Sequence, residues 1–269
     1  MPEYELRRKD HSSAWIYKHG IDGAIRYCIG HTADEKIRLN VWRLMDVCLC
    51  DKQGQPIKFI SEKGADLEGV VLLEDAPDHI GGVHGDEIGE EYMLFVDGRA
   101  YTFDHLPDVC LASEIRLAVR SVLTFADTPI PCMQRIKMLV FDEDGVHVRN
   151  EWTALQPLSI RSVRACMLSV NKNCITHYYD SHVQLFPAEV PKDHEKKSIC
   201  VDRKMVDICY LGDIIARHWA GERGGDCSGY STLLHDYGYR LKSYFNCYDH
   251  YEAQAGEVLA AENHFVITC

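Results

Sequence analysis

Apolar and polar residues alternate along most of this chain with the two-residue period of strands, and few stretches carry the longer period of helices. Residues 37–44, reading Ile-Arg-Leu-Asn-Val-Trp-Arg-Leu, alternate as a half-buried strand should. Residues 69–73 are a short apolar run that leads to a glycine-rich turn. Residues 92–96 and 99–103 flank Asp97-Gly98, a pair that accepts the positive φ of a two-residue hairpin. Residues 136–141 and 146–152 are joined by the acidic turn Asp142-Glu143-Asp144-Gly145. Further strands are predicted around 166–170, 175–179, 198–201, 239–248 and 264–268. Two segments, 113–124 and 213–219, have some helical character. The first also alternates, with Ile115, Leu117 and Val119 set against Glu114 and Arg116, and is read as a strand. Residues 187–197 read as a long polar loop. Many short strands separated by turn residues predict an all-β fold. The form expected is a β-sandwich or jelly roll of antiparallel strands with few or no helices, in a single domain over residues 1–269.

The 269 residues are 46% hydrophobic and 26% charged, which suits a globular chain rather than a disordered one. The formal net charge of −12 lacks the basic footprint of a nucleic-acid binder, so no nucleic-acid partner is expected. No apolar run approaches the roughly 18 residues of a membrane-spanning helix, and the first ten residues carry no secretory apolar core. The expectation is a cytoplasmic protein without a membrane partner; an oligomer is compatible with the composition. Twelve cysteines are scattered without a Cys-x-x-Cys pair, and several sit inside apolar runs. They read as small buried hydrophobes in a reducing compartment rather than as a disulfide framework.

Candidate chemistry concentrates in three places. The first is Gly81-Gly82-Val83-His84-Gly85-Asp86-Glu87, where a histidine and two acids follow a glycine pair. His84 and Glu87 could be two metal ligands, or a base and the carboxylate that orients it. The second is the set of polar stripes on strands, where residues two apart share a face. His147, Arg149 and Glu151 form one stripe. Arg240, Lys242, Tyr244, Asn246, Tyr248 and His250 form another, set against Leu241, Phe245 and Cys247. Tyrosine faces stack on sugar rings and cations hold anionic groups, so the second stripe suits a polyol- or carboxylate-binding groove. The third is Thr176-His177-Tyr178-Tyr179-Asp180-Ser181-His182, dense in histidine and tyrosine. A connecting turn, a solvated sheet face and a structural histidine are the plainer alternatives at these three places. The loop Gly221-Glu222-Arg223-Gly224-Gly225-Asp226 lacks the strand–loop–helix setting of a phosphate cradle and reads as a turn.

Two resemblances follow from these residues. Gly81 to Glu87 resembles the zinc motif of the succinylglutamate desuccinylase/aspartoacylase family, which implies His84 and Glu87 as ligands of one divalent ion. The order of strands from Gly81 onward, with the Tyr-, Lys- and Asn-lined final strands, resembles jelly-roll polysaccharide lyases. That resemblance implies β-elimination next to a uronic acid. It needs a cation on the C6 carboxylate, a base for the C5 proton and an acid for the leaving oxygen. The residues of those types are Arg149, Arg240 and Lys242 as neutralisers, His84 or His177 as base, and Tyr244 or Tyr248 as acid, with Asn246 beside them in substrate binding. The leading expectation is therefore a lyase of uronate-containing glycans or oligosaccharides, with a carbohydrate or other small molecule as partner. The alternatives are a zinc-dependent amide or ester hydrolase, with a third ligand from His147 or His177, and a non-catalytic sugar-binding or structural β-sandwich.

Overall fold

The computed structural model describes residues 3–62, 69–180, 185–187, 197–201, 207–223 and 232–269. It is an all-β structure, and among these residues helical geometry is confined to three-residue 3-10 turns. No helix of the described residues is long and apolar enough to cross a membrane. Alternation decided the two ambiguous segments: 113–124 contains the strand Ile115–Thr124, and 213–219 runs into the strand Ile215–Arg223. At Asp97-Gly98 both residues have positive φ (47° and 78°), and the chain reverses from Glu87–Val96 into Arg99–Tyr101. Residues 188–196 of the expected polar loop lie outside the described residues, as do 224–226 of the glycine-rich loop.

The strands form a long 16-stranded sheet and a second sheet of six. Pairing is antiparallel throughout the described strands except where Leu39–Cys50 meets Glu87–Val96 in parallel over two residues. The long sheet curls so that strands distant in its order face one another. Tyr27 lies 5.3 Å from Phe141 and 6.3 Å from Phe265, and the Tyr4 hydroxyl donates to the Asp142 carbonyl at 2.9 Å. One large apolar core fills the space between these layers and takes in Cys166, Leu168, Val170 and Leu241 from the second sheet. A smaller core lies beside it, around Trp152, Met133, Ile160, Val163 and Leu259. Ten cysteines among the described residues stand outside disulfides and are mostly buried, as their apolar surroundings predict.

Adjacent strands pass from one core to the other along the same inward face, and they cross a polar band as they do so. On Pro131–Asp142 the inward residues are Phe141 and Leu139 in the large core, then Lys137 and Arg135, then Met133 in the smaller core. Gly145–Ala154 repeats the order with Val146 and Val148, then Asn150, then Trp152 and Ala154. Ile115–Thr124 does so with Leu117 and Val119, Ser121, then Leu123. Val258–Thr268 places Asn263 between Phe265 and Ala261. At the centre of this band Arg135 Nη1 lies 3.1 Å from both carboxylate oxygens of Glu87, and both side chains are fully buried. The guanidinium also donates to Asn150 Oδ1 at 3.0 and 2.6 Å, and Asn150 donates to the Ala165 carbonyl at 2.9 Å. Ala165 belongs to Leu158–Asn171 of the second sheet, so the network ties the two sheets together.

Burial by itself would raise the Glu87 carboxyl. Arg135 and Lys137, with hydrogen bonds from Gly82 N–H and Ser121, instead bring it down from 4.5 to about 2. Its lowered folded value makes the ion pair stabilising above pH 4.5, and that contribution is lost as pH falls toward about 2. Glu87→Gln removes the Glu87 charge from beside the buried Arg135, and is expected to cost about 3–5 kcal/mol in urea unfolding at pH 7. The gap between variant and wild type should close as the pH is lowered through that window; a gap independent of pH would remove the ion pair as its source.

Candidate functional site

The glycine motif folds as a tight loop because its glycines occupy backbone geometry that other residues resist. Gly81 and Gly85 have φ of 88° and 87°, with the 3-10 turn Gly82–His84 between them. A Cβ on Gly85 would lie 1.8 Å from the Ile37 carbonyl oxygen. The two acids of the motif hold the loop down. Asp86 donates its N–H to the Ile37 carbonyl at 2.8 Å and pairs through its carboxylate with Arg38 at 2.9 Å. Glu87 Oε2 accepts the Gly82 N–H at 2.8 Å, and Oε1 accepts the Ser121 hydroxyl at 2.7 Å. The Glu87 carboxylate is thus occupied by protein donors beneath the loop, while His84 points to a different carboxylate.

That carboxylate is Asp78. Its Oδ1 lies 3.2 Å from His84 Nδ1 and 3.2 Å from His79 Nδ1, and also accepts the His79 backbone N–H at 2.7 Å. The two imidazole rings are 4.9 Å apart. Partial burial works against the charged form of Asp78, but the His79 backbone and the two imidazoles hold its carboxyl below the usual range. A carboxylate acceptor at Nδ1 assigns the proton of each neutral ring to that nitrogen and leaves Nε2 as the basic atom. His79 is driven down to about 4, first by burial and then by the Arg164 cation, so it is neutral near pH 7.

Arg164 links this cluster to the polar face of the second sheet. Its guanidinium carbon sits 4.9 Å from the centre of the Tyr244 ring, and Lys242 Nζ sits 5.4 Å from the same centre. The Tyr244 and Tyr237 hydroxyls are 3.3 Å apart, and Arg240 lies over the rings of Tyr237 and Tyr239 at 5.5 and 5.2 Å. Asn246 is the register partner of Arg164. The expected stripe Arg240, Lys242, Tyr244 and Asn246 therefore exists as one face of Arg240–Cys247, largely buried. It stops there. Tyr248 and His250 have positive φ, 55° and 51°, and turn away from the strand. The Tyr248 hydroxyl is exchanged with the Ala260 backbone, donating and accepting at 3.0 Å.

Three other expected residues stand outside this group. Arg149 is exposed and paired with Glu151 at 2.7 Å. His177, on Ile175–Asp180, contacts Thr176 Oγ1 at 3.0 Å. His147 has its own acidic partners, Asp142 and Glu262. Ser181 and His182 lie outside the described residues. The residues the sequence reading missed are Asp78, His79 and Arg164. Asp78-His79 stands only two residues before Gly81, so a window opened slightly upstream would have included it. Arg164 gave no signal, because its meeting with His79 and Tyr244 joins segments far apart in the chain.

No family profile matches the sequence, and no curated protein is similar enough to it to match. Among solved structures, the chain is similar to a glycoside hydrolase family 97 enzyme from Pseudoalteromonas, determined in complex with acarbose. The TM-score is 0.45 at 8% identity, over 97% of this chain and 35% of that one. The chain thus spans about a third of that enzyme's length. It is also similar to a galactose mutarotase-like protein from Clostridium acetobutylicum, with a TM-score of 0.43 and 11% identity, over 100% and 98% of the two chains. A protein from Synechocystis gives a TM-score of 0.40 at 10% identity, over 89% of this chain and 95% of that one. These are likenesses of backbone course; the functional reading rests on the residues of the site.

Two outcomes test the site geometry. Gly85→Ala combines a positive φ, which costs about 1–3 kcal/mol in itself, with a clash against Ile37, and should lower the unfolding midpoint markedly. In an NMR titration His79 should titrate near 4 rather than 6.5. Burial and the Arg164 charge disfavour its protonated form in the fold, so stability falls as pH drops from 6.5 toward about 4. A midpoint near 6.5 would mean that the imidazole is not held in the buried position beside Arg164.

Proposed function

We propose that this chain is a carbohydrate-active protein, a lyase that cleaves uronate-containing glycans or oligosaccharides by β-elimination. One observation carries the reading: a pair of imidazoles shares a carboxylate, and Arg164, whose charge acts on His79, packs on Tyr244 beside Lys242. In this reading Arg164 and Lys242 face the C6 carboxylate of the sugar and make the C5 proton acidic. His84 is the more exposed of the two imidazoles and takes that proton at Nε2, with Asp78 stabilising the imidazolium that forms. The electron pair of the C5–H bond forms the C4–C5 double bond, and the C4–O bond breaks. The Tyr244–Tyr237 hydroxyl pair returns a proton to the departing oxygen. Arg240 and Asn246 flank the site as substrate contacts. In this reading the base comes from the 79–84 segment and the acid from Tyr244 on Arg240–Cys247.

The test is ultraviolet absorbance of the unsaturated uronate product on a panel of uronate polymers and their oligosaccharides. His84→Ala should reduce kcat about 100-fold or more, the usual weight of a general base, while leaving the unfolding curve near that of wild type. Folded wild-type protein that yields no unsaturated product from any uronate substrate would end the lyase reading.

A second reading has its own observation. Asp78, His79 and His84 can each offer a ligand atom within 4.8 Å of the others. One carboxylate and two imidazoles with a fourth position open suit a divalent ion such as zinc in an amide or ester hydrolase. Activity that disappears with chelator and returns with zinc, without an unsaturated product, favours it over the lyase.

A further inference from the structure

A second cluster lies on the outward face of the strand pair Gly145–Ala154 and Val258–Thr268, apart from the residues used above. His147 and His264 are direct register partners, and Glu262 stands diagonally across from His147 on the same face. The two imidazoles meet edge to face at 4.4 Å. Glu262 Oε1 lies 3.6 Å from His264 Nε2 and 4.0 Å from His147 Nδ1. Each of the three residues offers a ligand atom within 4.8 Å of the others. Arg149, opposite Glu262 in register, donates both of its hydrogen bonds to Glu151 instead. Among the described residues the ion-pair partners of Glu262 are therefore the two histidines.

We propose that His147, Glu262 and His264 form a site for one divalent transition-metal ion of the zinc type. Bonds of about 2.0–2.2 Å in a tetrahedron place ligand atoms about 3.3 Å apart, so small side-chain rotations close the observed separations onto an ion. Around His147 the surroundings match what such a site needs, while His264 Nδ1 is buried without a hydrogen-bond partner. With Nδ1 of His147 on the metal, its Nε2–H faces Asp142 Oδ1 at 3.0 Å, the carboxylate that orients a ligating imidazole. Asp142 is itself fixed by the Asp144 N–H at 3.0 Å in the turn that begins the strand. His264 is stacked on Trp219 at 5.4 Å with 12° between the planes, and the Arg217 guanidinium lies 5.1 Å from the Trp219 ring centre. Three protein ligands leave a fourth position for water or an exogenous oxygen or nitrogen donor. All three ligands are partly exposed, at 21%, 27% and 17% of their side-chain surface, so an ion can enter from solvent.

The experiment is titration of metal-free full-length chain with Zn2+ or Co2+, following stoichiometry by calorimetry and coordination by the visible bands of cobalt. To separate this site from Asp78, His79 and His84, the titration is run in an Asp78→Asn, His84→Ala background. One ion per chain should remain there, with the intense cobalt bands of a tetrahedral site. Adding Glu262→Gln, or separately His264→Ala, should remove it. Asp142→Asn should weaken it about 10- to 100-fold without changing the stoichiometry. Glu262→Gln keeps the size of the side chain on an outward face, so it answers the question even if His264→Ala unfolds. No binding in the background protein, or binding that Glu262→Gln leaves unchanged, overturns the proposal; neither result bears on the lyase reading.

Discussion

The arrangement of this protein depends on one buried ion pair. Glu87 and Arg135 sit in the polar band between two apolar cores, where an unpaired charge costs several kcal/mol and a paired one must have every lone pair and N–H met. The pair satisfies that requirement by recruiting its neighbours. Ser121 and the Gly82 backbone donate to the carboxylate, and Asn150 accepts from the guanidinium and hands the connection on to Ala165. Breaking any of these contacts leaves a polar group stranded where water does not reach. The band therefore gives a single register to strands whose apolar residues would tolerate others.

The same pair sets the geometry of the candidate site. Glu87 grips the loop from below through Gly82, and the Gly85 backbone packs against Ile37, so His84 is carried on a segment with little freedom. From the other side, the Asn150 contact fixes Leu158–Asn171, the strand that delivers Arg164. The imidazoles and the cation–tyrosine face thus arrive on separate segments of the chain, but both are referenced to one anchor. An acid–base site needs that kind of rigidity, because proton transfer depends on placements held to a few tenths of an ångström.

Histidines beside carboxylates recur at two places, and their settings differ. At Asp78 one carboxylate is shared by two rings, and neighbouring Arg164 keeps positive charge close, which favours neutral imidazole. At Glu262 two rings converge on one carboxylate with a second acid, Asp142, behind, and among the described residues no lysine or arginine pairs with Glu262. Excess positive charge suits the capture of anionic sugar groups, whereas excess negative charge with two nitrogen donors suits a cation.

The sequence by itself determined the class of fold, because a two-residue period is a local property and glycine-bearing turns such as Asp97-Gly98 declare themselves. It also determined that the 81–87 loop is special and that Lys242 and Tyr244 share a face, since both follow from neighbours in the chain. It could not determine which side of a strand is inside. On Pro131–Asp142 the charged Arg135 and Lys137 are buried while Ile136 is 43% exposed, the reverse of what polarity suggests, because Glu87 and Asn150 meet the buried charge from other strands. Nor could it separate Glu87 from His84, which lie three residues apart yet serve different partners. The influence of the Arg164 charge on His79 and the pairing of His147 with His264 were equally hidden. They join residues distant in the chain, and the partner of a charge is chosen by sheet register and burial, which exist only once the tertiary structure has formed.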